Sequence, residues 1–271
     1  MRHVLTIAGS DSCGGAGIQA DLKTFAALGV YGMSVITAVT AQNTCGVSGV
    51  QEISQEIVAA QIDAIFSDIR IDAVKIGMVF STGIINTIAA GLDKYSVSNV
   101  VLDPVMFAKS GDALLQSSAR QALIKELIPR SLVVTPNIPE AKAITGINIK
   151  DIDDMKQAAL VIHQMGALNV LVKGGHLTTD SIDVLYDGTE FTSFDSLRIE
   201  TVNTHGTGCT FSSAIAVGLA KHLSLTDAVR AAKEYITMAI THSFAIGKGC
   251  GPTHHFHTYY SNHDQQEETS K

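Results

Sequence analysis

The sequence predicts an α/β fold, a three-layer sandwich in which a mostly parallel central sheet carries helices on both faces. Three observations support this. Short apolar runs alternate with segments of helical period along the 271 residues. Four of the runs, AVKIG (73–77), NVVLDP (99–104), LVVTP (132–136) and NVLVKG (169–174), are continuously apolar, as strands covered on both faces require. The residues with chemical potential come just after those runs, at the strand ends where such sheets bind ligands.

The elements follow in order. VLTIA (4–8) is a first strand leading into the Gly-rich loop GSDSCGGAGIQAD (9–21). Ile18, Leu22 and Phe25 share one face of a helix over 18–28. MSVITAVTA (33–41) is the second strand, with Gln42 and Asn43 at its end and NTCGVSG read as a mobile loop. A helix over 56–66 turns Ile62, Ile65 and Phe66 inward. Strands 73–77 and 99–104 precede a helix over 117–127 that Pro129 stops. After strand 132–136 a helix begins near Pro139, and another covers 151–165. The latter has acidic residues in its first turn and Gly166 after its end, matching dipole and C-cap preferences. Strand 169–174 is followed by an antiparallel hairpin over 183–199 turning at Asp187-Gly188. Helices over 209–222 and 226–244 close the pattern. The polar tail 261–271 lacks periodicity and reads as disordered, which leaves a single domain over 1–260.

Composition narrows the function classes. Hydrophobic residues make up 46% and charged residues 17%, a globular balance, and the net charge of −7 disfavours a nucleic-acid binder. Cys13, Cys45, Cys209 and Cys250 lack the paired spacing of a zinc site or disulfide framework; free thiols fit a reducing, cytoplasmic location. His254, His255 and His257 cluster without further ligands at metal spacing, so a structural metal is disfavoured. The first apolar run is too short for a signal-peptide core, and no run reaches the ~20 residues that span a bilayer.

NTHGTGCTFSSA (203–214) is the strongest local motif. Gly206, Thr207 and Gly208 directly precede a helical apolar run, so the helix-start N–H groups can form an anion site suited to phosphate. Cys209 at that helix start is expected to have a lowered thiol pKa, with thiolate accessible near neutral pH. The alternative is a glycine turn with a structural cysteine. Neither a Walker loop nor a Rossmann GxGxxG after the first strand is present. The 9–21 loop either binds phosphate or brings main chain against a ring, with Asp11 and Asp21 as hydrogen-bonding groups. Asp103 and Glu140, after adjacent strands, can hold Mg²⁺ through water and phosphate oxygens, while Asn137 can equally cap the helix that begins near Pro139. Lys173 can meet ATP phosphate as a point charge. The Gln42 amide can pair with a heteroaromatic edge or simply cap its loop, and Met78 reads as core or as ligand contact.

Taken together, LTIAGSDSCGGAGIQADLKTF, TAVTAQNTCGV, VKIGMV, VLDPVMFAKSGDALL, VTPNIPEA, VLVKGGH and HGTGCTFSSAIA resemble the hydroxymethylpyrimidine/phosphomethylpyrimidine kinases of the ribokinase-like superfamily, over about residues 3–255. The resemblance implies the ribokinase-like three-layer sandwich, Mg²⁺ and ATP as cofactors, and phosphorylation of a hydroxymethylpyrimidine and then of its monophosphate in thiamine biosynthesis. It also suggests a homodimer. It implies that Gln42, Gly9, Asp11, Asp21 and Met78 lie beside the pyrimidine and that Cys209 stands where related sugar kinases carry an Asp base. Gly206 and Gly208 then supply the anion hole. Asp103, Asn137, Glu140, Lys173 and Thr207 serve the nucleotide and metal side. Pyridoxal kinases share the scaffold; Gln42 and the helix directly after GTGC favour the pyrimidine kinases. A non-catalytic pyrimidine-binding regulator is the remaining alternative. Cys13 departs from the Ser or Gly usual in its loop and adds a thiol near the site. The segment 107–115 is the candidate lid.

Overall fold

The computed structural model describes residues 1–108, 111–112, 114–175 and 181–260. The chain opens with β1 (His3–Asp11), α1 (Gly17–Ala27) and β2 (Tyr31–Asn43). β3 (Gly46–Glu52), α2 (Gln55–Phe66), β4 (Ala73–Ile76), α3 (Thr82–Lys94) and β5 (Val100–Leu102) follow. One α turn, α4 (Arg120–Ala122), lies between a 3₁₀ turn and a π turn, and β6 (Val133–Val134) comes next. The rest comprises α5 (Ile138–Thr145), α6 (Ile152–Gln164), β7 (Asn169–Val172), β8 (Asp183–Tyr186), β9 (Phe191–Phe194), α7 (Thr207–Ala220) and α8 (Leu225–Thr241).

Among the described residues the sheet has nine strands in the order β3-β2-β1-β4-β5-β6-β7-β8-β9. The six from β2 to β7 pair in parallel; β3 at one edge, and β8 with the edge strand β9 at the other, are antiparallel. The expected three-layer sandwich is what forms. Strand alternation divides the apolar residues between two cores. Leu5, Ile7, Val74, Ile76, Val100 and Leu102 face α2, α3, α5 and α6. Val4, Ala73, Val101, Val133 and Leu171 face α1, α7 and α8. That two-sided burial is why the strands read as unbroken apolar runs. Each wholly buried Leu or Ile contributes roughly 1.5–3 kcal/mol. No described helix is long and apolar enough to cross a membrane.

Three local expectations need correction. The segment after Asn43 is the edge strand β3, not a mobile loop. Asn43 Oδ1 accepts from the N–H groups of Cys45 (2.8 Å) and Gly46 (3.2 Å), closing the turn, and Val47 and Val50 pack beside Met78. The helix expected over 117–127 is an irregular succession of 3₁₀, α and π turns, and Pro129 lies inside a closing 3₁₀ turn (Ile128–Arg130) instead of ending the element. Helix α3, left unassigned by the sequence reading, is capped by Ser81. Residues 109, 110 and 113 of the candidate lid, and the tail 261–271, lie outside the described residues.

Candidate active site

The parallel strands deliver polar residues to one end of the sheet. Asp103 follows β5, Thr135 and Asn137 follow β6, and Lys173 follows β7. Lys173 donates to Asp103 Oδ1 at 2.7 Å, and Ser212 of α7 donates to Asp103 Oδ2 at 3.3 Å. Burial alone would lower the pKa of Lys173; the charges of Asp103 and Glu140 hold its ammonium above the ordinary range. Asn137 and Glu140 form a capping box for α5: Asn137 Oδ1 accepts from Glu140 N (2.9 Å), and Glu140 Oε2 from Asn137 N (2.8 Å). The capping alternative for Asn137 is therefore realised, and its side-chain oxygen is committed to the helix. Glu140 also faces the charged pair. Burial pushes its carboxyl up to about 7, with Lys173 opposing and Asp103 reinforcing the rise.

Gly206 opens α7 with φ of 79°, and a Cβ there would collide with the carbonyl oxygen of Gly15. Only glycine fits both the conformation and the close approach. No side chain caps α7 or α1, whereas Ser54, Ser81, Asn137, Asp151 and Ser224 cap α2, α3, α5, α6 and α8. The start of α7 is thus left able to bind an anion. A Cβ at Gly208 would lie 3.5 Å from both Asp103 Oδ2 and Lys173 Nζ, so the uncapped helix start adjoins the strand-end charges. The Thr207 hydroxyl, expected on the nucleotide, donates to Thr204 O at 2.8 Å instead, bracing the turn.

Cys209 lies among Lys75, Asp21 and Asp103 and accepts a hydrogen bond from Gly17 N–H. The expected low thiol pKa is not found: burial pushes it up to about 11, with Lys75 and the Gly17 N–H opposing the rise and Asp21 and Asp103 reinforcing it. Desolvation is the largest contribution, and the lowering effects of Lys75 and the Gly17 N–H do not offset the rise.

Asp21 also departs from expectation. Instead of facing a ligand, it lies wholly buried, with Lys75 Nζ at 2.9 and 3.0 Å from its two oxygens. Thr6 and Ser213 hydroxyls donate to the same carboxylate at 2.6 and 2.7 Å. The group ties β1, β4, α1 and α7 together beneath the site. Gly9 abuts Met78, whose sulfur would be 2.7 Å from a Cβ on Gly9, and Met78 packs with Ala38 and Leu114.

Asp11 stands buried behind a cavity wall, in contact with His205. Its Oδ2 lies 3.0 Å from His205 Nε2 and accepts from Gly15 and Ala16 N–H; its Oδ1 accepts from Cys13 N–H. Burial would raise its pKa, but these bonds keep the carboxyl below the usual range. His205 also lies 3.5 Å from Gln42 Nε2. Gln42 and His205, with Asn43, Thr44, Cys45, Gly46, Gly249 and Cys250, line a cavity of about 360 Å³. His205 was not singled out by sequence reasoning. Its place in HGTGC was the available clue, since a residue preceding an anion-binding turn is carried to the same strand-end cleft.

A family model described as phosphomethylpyrimidine kinase matches residues 11–254. The chain is 56% identical over 260 residues to the hydroxymethylpyrimidine/phosphomethylpyrimidine kinase of Rhizobium meliloti, covering 94% of this chain and 97% of that one. It is 55% identical over 253 residues to the thiamine biosynthesis bifunctional protein ThiED of Geobacter sulfurreducens; that match covers 93% of this chain but 52% of the relative, about half its length. Among solved structures, a phosphomethylpyrimidine kinase from Clostridium difficile is similar at TM-score 0.80 and 51% identity, over 89% of this chain and 100% of that one. An ADP complex of Bacillus subtilis pyridoxal kinase is similar at TM-score 0.87 and 42% identity, over 94% and 97%.

Proposed function

This chain belongs to the phosphomethylpyrimidine kinase family, and on that premise we propose that it transfers phosphoryl groups from ATP to 4-amino-5-hydroxymethyl-2-methylpyrimidine and then to its monophosphate, in thiamine biosynthesis. The observation that supports this best is the junction of the uncapped α7 start with the Asp103–Lys173 pair, next to a cavity bearing the Gln42 amide. Phosphoryl transfer depends mainly on positioning and charge stabilisation, which that junction offers.

The residue roles are part of the proposal. The amides of 206–209 and the Lys173 ammonium bind ATP phosphate oxygens. The Gln42 side chain pairs with the donor and acceptor edge of the aminopyrimidine, and Asp11 and His205 close that wall. Asp103 and Glu140 offer only oxygen donors, the set Mg²⁺ takes, commonly through water, and the ion when bound neutralises phosphate charge. Ionising Cys209 at pH 7 costs about 5 kcal/mol from a pKa of about 11, so in the unliganded protein it holds its proton, and once the acceptor binds it hydrogen-bonds the substrate hydroxyl. One domain over 1–260, a homodimer and a cytoplasmic location complete the reading.

The likeness to pyridoxal kinase gives the competing substrate. ATP consumption by the purified chain with Mg²⁺ is compared for hydroxymethylpyrimidine, its monophosphate and pyridoxal. Turnover of both pyrimidines with slow pyridoxal supports the proposal. Preference for pyridoxal reassigns the substrate, and binding of pyrimidine without any turnover replaces the enzyme with a regulator.

A further inference from the structure

We propose that Asp11, Cys13 and His205 form a Zn²⁺ site behind the acceptor cavity, of which His205 is a lining residue, and that its occupation shuts out the acceptor. The three ligand atoms, a carboxylate oxygen, Cys13 Sγ and a His205 ring nitrogen, all lie within 4.8 Å of one another. Atoms sharing one zinc stand roughly 3.3–3.8 Å apart, from bond lengths of about 2.0–2.3 Å, so a small closure completes the set. Backbone hydrogen bonds and close packing position the frame that carries them. Asp11 is fixed by N–H groups of Cys13, Gly15 and Ala16, and Oδ1 accepts only one of these. Gly15 lies so close to the His205 ring that a Cβ there would overlap it, and Gly206 packs on Gly15 O in turn.

The donor chemistry selects the ion. Thiolate and imidazole favour zinc over Mg²⁺, which takes oxygen donors. Binding releases the Cys13 thiol proton to solvent. Thiolate and carboxylate then neutralise the divalent charge, and the fourth position stays open. His205 also lines the cavity with Gln42, so a metal on its Nε2 stands where the aromatic substrate would approach. Cys13 lies 192 positions from His205 in sequence, and no local spacing announces the cluster.

The test uses the full chain with zinc and with cobalt as probes, in chelator-free buffer. One zinc per chain, lost or weakened at least about 100-fold in Cys13→Ser, is expected, since loss of a ligand exceeds the 10–100-fold cost of losing an outer partner. Co²⁺ should give a thiolate charge-transfer band that Cys13→Ser and Cys13→Ala lack and Cys45→Ser retains. With Mg-ATP, zinc inhibition should compete with the acceptor, and Cys13→Ser should turn over normally but resist zinc. Unchanged metal affinity or an unchanged cobalt band in the Cys13 variants would overturn the site. Inhibition that competes with ATP alone would overturn the blocking role. The metal-binding readouts stand whichever alcohol proves to be the substrate, so this proposal and the functional one fail separately.

Discussion

Replacing Lys75 by Met should destabilise the protein by about 3–5 kcal/mol, the usual cost of stranding one partner of a buried ion pair. Neither side chain of the Asp21–Lys75 pair has solvent exposure. Without the ammonium, Asp21 keeps the Thr6 and Ser213 hydroxyls as side-chain donors in a buried layer between sheet and helices. At roughly 2–4 °C per kcal/mol for a chain near this size, Tm falls by about 6–20 °C. Asp21→Asn strands the ammonium instead and should behave alike. The double variant Asp21→Leu/Lys75→Met removes both charges and should recover most of the loss. Calorimetry gives Tm, and acceptor KM is measured below the transition. Lys75 should add no pH dependence near neutrality. Although burial opposes it, Asp21 leads the charges that raise the folded pKa of Lys75, so its contribution is complete below the unfolded value of about 10.4 and fades only as pH rises through the folded one. A loss below about 1 kcal/mol, or a large KM change on Asp21→Asn with Tm intact, would refute the structural role and restore Asp21 to the ligand wall.

Four further outcomes are expected. Glu140→Gln keeps the capping box but removes a carboxyl that burial raises to about 7. That carboxyl binds its proton more tightly folded than unfolded, so it costs the parent stability progressively from about pH 4.3 to 7. The variant should match the parent near pH 4 and exceed it by up to about 3 kcal/mol at pH 8; equal denaturant midpoints at both pH values would contradict this. Cys209 should react with iodoacetamide far more slowly at pH 7 than exposed Cys45, accelerating toward pH 11, as peptide mass mapping can follow; rapid labelling at neutral pH would contradict its raised pKa. If Sγ is the proton acceptor in turnover, Cys209→Ala loses about 10²–10⁴-fold in kcat, and near-normal kcat removes that role. Gly206→Ala should cost at least 1–2 kcal/mol, roughly the left-handed backbone penalty, before the collision with Gly15 O is counted; an unchanged Tm with unchanged ATP affinity would show that the turn relaxes freely.

The architecture was legible because its cause is local. Two-sided burial writes itself into runs such as AVKI and VVL, and turns write themselves into Asp187-Gly188. Asp103, Lys173 and Gly208 were legible for a similar reason: strand ends and a glycine turn before a helix place them together whatever the side-chain details. What sequence could not supply was the balance of competing terms. Helix-start stabilisation of a Cys209 thiolate and its desolvation have opposite signs, and only the surroundings decide between them. Asp21 reads as a ligand contact until Lys75, in register with Thr6 on the neighbouring strand, is seen to occupy it. β3 was obscured because its Gly and Ser residues carry little strand propensity, and its pairing with β2 supplies what propensity lacks.

The hydrogen bond from Ser213 to Asp21 joins residues 192 positions apart, and the His205–Asp11 contact spans 194. During synthesis at roughly 5–20 residues per second, the first loop therefore waits about 10–40 s for the partners that complete it. Until α7 emerges, the nascent chain holds Asp21 without the Ser213 donor and Gly15 without the turn that packs on it. Assembly of this floor therefore waits for α7, and truncation before residue 205 should release a chain that keeps the strand sequences but lacks the Gly206 turn that packs on Gly15.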